Sequence, residues 1–96
     1  MKIRLSDEAL LDLQEIANYT WAEWGEEQEK KYLALLYSTM ERIDSDFSRI
    51  RKRDDLYPGC RMVYSGKHAI FFTLEGETVA VARILHQAMN PFRHLI

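Results

Sequence analysis

The stretch that decides the fold runs from Cys60 to His86 and reads CRMVYSGKHAIFFTLEGETVAVARILH. It holds three runs rich in β-branched and aromatic residues. Two short glycine-containing segments, at residues 65–66 and 75–77, separate these runs. Because such segments between β-prone runs are typical of tight hairpins, the stretch predicts an antiparallel meander of three strands. A proline-marked tail, residues 89–96, follows the last predicted strand.

The sequence before the meander predicts one strand and two helices. Polar and apolar residues alternate in Lys2–Leu5, which indicates a short strand, and Ser6 is a favourable helix N-cap. Apolar residues then recur at helical spacing from Asp7 to about Trp24, where Gly25 ends the helix. A second apolar stripe predicts another helix directly after it, so that the pair forms a helical hairpin. This stripe consists of Tyr32, Leu36, Thr39, Met40, Ile43 and Phe47.

Residues 48–59 are predicted to form a loop, because they lack apolar periodicity and end in Pro58-Gly59. The predicted order is therefore β-α-α-β-β-β in a single α+β domain over residues 1–96, with the helical hairpin packed on a small, mainly antiparallel sheet. In this arrangement Asp12, Glu15 and Glu23 lie on the outer faces of the first helix. The sheet face opposite the helices is expected to stay open to a partner.

Composition narrows the class of protein. Of the 96 residues 47% are hydrophobic and 29% charged, which is typical of a globular domain. No apolar run approaches the roughly 20 residues that span a bilayer, and the N-terminus lacks the apolar core of a signal peptide. The single cysteine, Cys60, cannot form an internal disulfide, so a cytoplasmic protein is expected.

Charge is distributed unevenly along the chain. Residues 1–47 carry 5 Lys/Arg and 11 Asp/Glu, a net charge of −6, whereas residues 48–96 carry 8 Lys/Arg and 4 Asp/Glu, a net charge of +4. A basic sheet half favours phosphate or an acidic protein segment as its partner. Two solvated faces of opposite sign would give the same pattern, so charge alone leaves both interpretations open.

Candidate chemistry is restricted to the basic residues and one imidazole. The three histidines match no zinc-ligand spacing, so neither a metal nor a cofactor is predicted. Cleavage of RNA without a metal needs an acid, a base and cations around the phosphate. Arg83 and His86 are three residues apart, so a regular strand points them to opposite faces unless a bulge intervenes. If the two residues have a structural role instead of a catalytic one, Arg83 pairs with a carboxylate and His86 forms a hydrogen bond to the backbone. The residues that could supply these groups are Arg61, Lys67, Arg83, His86 and Arg93.

Several phrases, in a fixed order, carry a resemblance to a known family. They include Leu5-Ser6-Asp7-Glu8-Ala9, Trp24-Gly25-Glu26-Glu27-Gln28, Leu56-Tyr57-Pro58-Gly59-Cys60-Arg61, Gly66-Lys67-His68-Ala69-Ile70-Phe71-Phe72 and Val81-Ala82-Arg83-Ile84-Leu85-His86-Gln87. With these phrases the chain resembles the RelE/ParE superfamily of bacterial toxins, and within it the ParE branch, over about residues 3–94. The resemblance implies the toxin of a type II toxin–antitoxin system. A cognate ParD-like antitoxin neutralises such a toxin by direct binding and attaches the complex to operator DNA.

The resemblance implies two alternative activities. ParE-like toxins inhibit DNA gyrase, whereas the RelE branch cuts mRNA on the ribosome. A third possibility is an interaction module that has lost toxicity. Binding to the target is predicted at Arg61, Lys67, Arg83, His86, Met89 and Arg93. RNA cleavage would instead use Arg61 and Arg83 for phosphate and His86 as acid or base, although the tyrosine of the RelE branch is absent after His86.

The antitoxin is expected to present an amphipathic segment that carries acid. Such a segment would lie along the exposed apolar edge of the helical hairpin and reach the basic sheet half. Because acidic groups pair with cations, the predicted contacts are basic side chains. These residues are Arg51, Lys52, Arg53, Arg61 and Arg83.

Overall fold

A computed structural model describes residues 2–95, apart from the side chain of Phe47. The elements are β1 (Lys2–Leu5), α1 (Asp7–Trp24), α2 (Glu26–Glu41), a 3-10 turn (Phe47–Arg49), β2 (Arg51–Lys52), β3 (Arg61–Ser65), β4 (His68–Glu75), β5 (Thr78–His86) and α3 (Phe92–Leu95). The strands form one sheet in the order β1-β5-β4-β3-β2, in which β1 is parallel to β5 and the other pairs are antiparallel. The predicted α+β class is confirmed. None of the helices in residues 2–95 combines the length and the apolar character that crossing a bilayer requires.

Helix α1 begins and ends where the sequence predicts. The Ser6 hydroxyl oxygen accepts the N–H of Ala9 at 3.0 Å, and the hydroxyl donates to the carbonyl of Ala82 at 2.6 Å. The N-cap therefore also fastens the helix to β5. At the other end Gly25 has a φ of 92°, and its N–H donates to the carbonyl of Trp21. The chain reverses there into α2 and forms the predicted helical hairpin.

The main core lies between the two helices and one face of the sheet, which we call the helix-covered face. Each large apolar side chain that is fully buried contributes about 1.5–3 kcal/mol relative to exposure, so this layer supplies most of the stability. The buried residues of this core are Ala9, Leu13, Ile16, Leu36, Met40, Ile43, Val63, Ile70, Phe72, Val79, Val81 and Ile84.

The second helix ends before its apolar stripe does. The stripe extends to Phe47, whereas α2 ends at Glu41. The N–H of Arg42 donates to carbonyls in the last helical turn, and the chain tightens into a turn where Asp and Ser residues, 44–46, favour turn conformations. Ile43 is still buried from that turn, which explains why its spacing fits the stripe. The side chain of Phe47 lies outside the described part of the chain.

The predicted loop, residues 48–59, contains an edge strand. Arg51–Lys52 form β2 and pair with β3, and the N–H of Arg53 donates to the carbonyl of Cys60 at 2.8 Å. The prediction of an irregular loop is therefore wrong at this point. A strand of two residues is too short to show the alternation by which strands are recognised in a sequence.

The second face of the sheet, expected to be open, is partly covered. Residues 53–59 fold back over it and the C-terminal segment reaches it, so we call it the loop-covered face. The strands carry apolar residues on both faces, and both must therefore be shielded from water. The buried cluster contains Leu56, Cys60, Met62, Ala69, Phe71 and Leu85, with Tyr57 and Leu95 packed against it.

Candidate functional site

Tyr32, His68 and His86 form a cluster at the end of the sheet where β4 begins and β5 ends. His68 and His86 are direct cross-strand partners, and their ring centroids are 5.4 Å apart in an edge-to-face arrangement. The hydroxyl oxygen of Tyr32, on α2, lies 2.5 Å from Nδ1 of His68. The cluster thus joins the second helix to two strands.

Hydrogen bonding in this cluster favours a neutral His68. The N–H of Lys67 donates to the Tyr32 hydroxyl oxygen at 3.0 Å, which leaves the hydroxyl hydrogen for Nδ1 of His68. Burial lowers the pKa of His68 and the neighbouring His86 lowers it further, while Asp12 opposes the shift. Burial also raises the pKa of Tyr32, against the effect of the Lys67 hydrogen bond. Both side chains are therefore uncharged near neutral pH.

The residues after β5 fold back against the turn between β3 and β4. The N–H of Gln87 donates to the carbonyl of Lys67 at 3.0 Å, and the N–H of Met89 donates to the carbonyl of His86 at 2.9 Å. These bonds bring Lys67, His86 and Met89, all exposed, to one end of the sheet. We call these three residues the sheet-end surface. Arg93 is exposed further along the chain, in α3.

Arg83 is held by an ion pair inside the protein. Its Nε and Nη2 donate to the two carboxylate oxygens of Asp12, each at 2.9 Å, and its Nη1 donates to the carbonyl of His94 at 3.2 Å. The Asp12 hydrogen bonds raise the pKa of Arg83. The same carboxylate accepts the N–H of Ile84 at 2.9 Å. Because β1 pairs with β5 only as far as Val81, Asp12 takes the place of a strand partner beyond that point.

The prediction that Asp12 lies on an outer face of α1 is wrong, since the residue is only 8% exposed. The sequence did contain a signal for this. Asp12 comes three residues after Ala9 and four before Ile16, both of which are buried. Residues at these spacings lie on the same side of a helix. A carboxylate within an apolar stripe indicates a buried partner, which here is Arg83.

The three residues that RNA cleavage would require do not come together. Arg61 pairs with Phe72 of the helix-covered core, whereas a bulge in β5 places Arg83 opposite Phe71 of the loop-covered face. The two arginines therefore lie on opposite faces. His86 belongs to the far end of the sheet, about 13 Å from the level of Arg61 along the direction of β3. One phosphate cannot contact all three groups.

Three of the predicted antitoxin-binding residues lie at the same edge of the sheet. Arg51 and Lys52 form β2, and Lys52 faces Arg61 of β3. None of the three has an ion-pair partner within residues 2–95, and we call them the β2-edge cluster. Arg53, in contrast, donates two hydrogen bonds of 3.0 Å to the carboxylate of Asp55. Arg53 is thus already neutralised within the chain.

Groups for metal or thiol chemistry are not assembled in the described part of the chain. Within residues 2–95, no three His, Cys, Asp or Glu side chains lie close enough to hold a metal ion. Cys60 is fully buried, and burial raises the pKa of its thiol. A thiol in this state is a poor nucleophile.

A comparison with known families gives these surfaces a context. Residues 3–91 match the model of the ParE toxin of the type II toxin–antitoxin system parDE. The chain belongs to the ParE toxin family. It is therefore the toxin component of a type II toxin–antitoxin system, as the resemblance predicted.

Similar proteins over nearly the same length bear the ParE name. Toxin ParE1 of Caulobacter vibrioides is 37% identical over 92 residues, which cover 96% of this ParE-family chain and 95% of that relative. Toxin ParE1 of Mycobacterium tuberculosis is 36% identical over 92 residues, covering 95% and 94%. Toxin ParE of Escherichia coli is 33% identical over 92 residues, covering 95% and 89%.

Solved structures share the fold of this ParE-family toxin at lower identity. A chromosomal ParDE system from P. aeruginosa superposes with a TM-score of 0.72 at 18% identity, covering 90% of this chain and 95% of that one. A YoeB dimer from Staphylococcus aureus superposes with a TM-score of 0.64 at 15% identity, covering 91% and 97%. At these identities the likeness concerns the fold.

Proposed function

We propose that this toxin, folded as one domain over residues 1–96, acts in the cytoplasm by binding and inhibiting DNA gyrase, without cutting nucleic acid itself. A cognate ParD-like antitoxin holds it silent by direct binding, and the complex of the two attaches to operator DNA through the antitoxin. The observation that carries this proposal is the match to the ParE family over residues 3–91. Gyrase is the target that the resemblance to ParE-like toxins implies.

The arrangement of the basic residues supports binding rather than catalysis. An RNase without a metal must gather its acid, base and cations around one phosphate. Here Arg61 and Arg83 lie on opposite faces, and the guanidinium of Arg83 is committed to Asp12. A protein that acts by binding needs no such assembly. We therefore favour a non-enzymatic inhibitor over an mRNA endonuclease.

We assign contact with the target to the sheet-end surface. Met89 is a 47% exposed apolar side chain at the same end of the sheet as the exposed residues Lys67 and His86. An apolar anchor inside a polar rim is the usual composition of an energetically important contact. Arg93 remains a candidate because α3 follows this segment closely. Arg61 and Arg83, also predicted from the sequence, lie elsewhere and are left out of the proposed target surface.

We assign contact with the antitoxin to the β2-edge cluster. Arg51, Lys52 and Arg61 have no carboxylate partner within residues 2–95, so an acidic segment from outside can pair with them. The other two predicted contacts, Arg53 and Arg83, are already bonded to carboxylates of the toxin and contribute less. The antitoxin surface is thereby separate from the proposed target surface.

Supercoiling by purified gyrase tests the proposal. Free toxin should reduce supercoiling or cause cleaved DNA to accumulate, and Lys67→Glu or Met89→Ala should weaken this effect roughly three- to tenfold. These two variants should keep their affinity for the antitoxin, because the β2-edge cluster is unchanged.

Lys31→Ala is the matched control, since Lys31 is an exposed lysine of α2 outside both surfaces. It should inhibit gyrase as strongly as the unaltered toxin. The proposal fails if a large excess of toxin leaves gyrase untouched while transcripts in toxin-expressing cells are cut in phase with codons.

A further inference from the structure

Lys52 and Arg61 face each other across the two strands at the sheet edge. The N–H of Arg53 donates to the carbonyl of Cys60, so the adjacent pair, Lys52 and Arg61, occupies a position without hydrogen bonds between its own backbone groups. Opposing side chains come closest at such positions. Like charges directly opposite each other destabilise a sheet. The toxin therefore carries a repulsive pair of cations at its edge.

No carboxylate within residues 2–95 relieves this repulsion, because neither Lys52 nor Arg61 has an ion-pair partner there. The neighbouring Arg53, by contrast, is paired with Asp55 at 3.0 Å. Lys52 is exposed, whereas Arg61 is partly buried and has less freedom to turn into water. An anion from another molecule would neutralise the pair.

The edge strand offers backbone groups beside these cations. The N–H of Arg53 points toward β3, and the direction alternates along a strand, so the N–H and C=O of Lys52 point outward. An extended peptide alongside β2 can bond to both groups. A nucleic-acid strand has no backbone that repeats this pattern.

We propose that Lys52 and Arg61 form a receptor for an extended acidic peptide segment, which lies along the outer edge of β2 and places carboxylates over the pair. This inference rests on the proposed function in one respect, because it assigns the segment to the antitoxin. The bound carboxylates neutralise the repulsion that the free toxin retains. The same two side chains therefore destabilise the fold of the free toxin and stabilise the complex.

Neutral variants of the pair should raise stability and lower affinity at the same time. At low ionic strength, Lys52→Gln or Arg61→Gln should raise the midpoint of thermal unfolding of the free toxin by roughly 2–5 °C. The gain should disappear in about 1 M salt, which screens the repulsion. Arg51→Gln is the matched control, because Arg51 lies on the same strand but faces Met62 rather than a cation. It should leave the midpoint unchanged.

Binding is measured with synthetic peptides, so that the result does not depend on the antitoxin. A peptide of roughly ten residues that alternates Glu and Val should bind the full-length toxin, and the same peptide with Gln in place of Glu should not. Each neutral variant of the pair should weaken binding about tenfold. Lys31→Gln, a change of an exposed lysine on α2, should leave binding unchanged.

Two results would overturn the proposal. One is that Lys52→Gln and Arg61→Gln change neither the unfolding midpoint nor the peptide affinity. The other is tighter binding of a single-stranded RNA oligonucleotide than of the acidic peptide. The peptide could bind with the expected variant effects to a toxin that does not inhibit gyrase. That result would support this site and contradict the proposed inhibition of gyrase.

Discussion

At the scale of single residues, His68 is a group whose charge state in mild acid depends on the fold. Tyr32 of α2 and His86 of β5 contact its ring, Lys67 precedes it in the turn, and the charge of Asp12 on α1 reaches it. Burial lowers the pKa of His68 below its ordinary value of 6.5, and His86 adds to this effect. Protonation would also remove the acceptor that the Tyr32 hydroxyl uses. Acid should therefore weaken the contact between α2 and the sheet.

The first prediction is a loss of stability in mild acid. Because the folded-state pKa of His68 is lowered, the unfolded chain takes up the proton first as the pH falls. The free energy of unfolding should thus decrease below about pH 6.5 and stop decreasing once the pH has passed the folded-state pKa. Urea unfolding at a series of pH values measures this slope. His68→Gln should flatten it and His94→Gln, at an exposed position, should not; equal slopes in the two variants would contradict the account.

At the scale of elements, the turn between β3 and β4 needs a glycine for two separate reasons. Gly66 has a φ of +58°, and a Cβ there would lie 2.7 Å from the hydroxyl oxygen of Tyr32. Gly76, between β4 and β5, has a nearly equal φ of +61°, but no atom lies within 4 Å of its Cβ position. Both turns require a residue that tolerates a positive φ, but only at Gly66 does a side chain of α2 also leave no room for a Cβ. A comparison of the two positions therefore separates the effect of backbone strain from the effect of this close contact.

The second prediction compares alanine in these two turns. Gly76→Ala should cost roughly 1–2 kcal/mol, because a residue with a Cβ is strained in the left-handed region. Gly66→Ala should cost about 1–3 kcal/mol more, because Tyr32 must move and lose its hydrogen bonds to Lys67 and His68. Urea unfolding of both variants measures the difference. Equal losses would mean that the contact between Tyr32 and the turn adds nothing to the stability.

Elements are predictable from this sequence where a repeating pattern is long enough to be recognised. The apolar spacing of α1 and the glycine-separated runs of the meander meet this condition, and both predictions are confirmed. The two residues of β2 show no period, and Ile43 continues the stripe of α2 from a turn. The sheet-end surface depends on backbone hydrogen bonds of Gln87 and Met89, which side-chain patterns do not encode.

At the scale of the whole molecule, one ion pair connects parts of the chain that lie far apart in sequence. Asp12 belongs to α1 in the acidic half, and Arg83 belongs to β5 in the basic half. The carboxylate also bonds to the backbone of Ile84, and the guanidinium bonds to the carbonyl of His94 next to the loop-covered face. Helix α1, the sheet and the C-terminal segment are thus joined through one ion pair. One acidic and one basic side chain of the two halves therefore neutralise each other inside the protein.

The last prediction tests that connection with Asp12→Asn, which keeps the size of the side chain and removes its charge. The side chain of Arg83 is only 22% exposed, so it would lose its hydrogen-bonded carboxylate in a partly buried position. The free energy of unfolding should fall by roughly 2–4 kcal/mol, whereas Glu23→Gln, at an exposed position of the same helix, should change it by less than about 0.5 kcal/mol. Because Arg83 also bonds to His94, amide hydrogen exchange in α3 should become faster in Asp12→Asn alone. If both variants lose equally little stability and α3 exchanges at its original rate, the pair contributes no more than a surface ion pair and does not connect the layers.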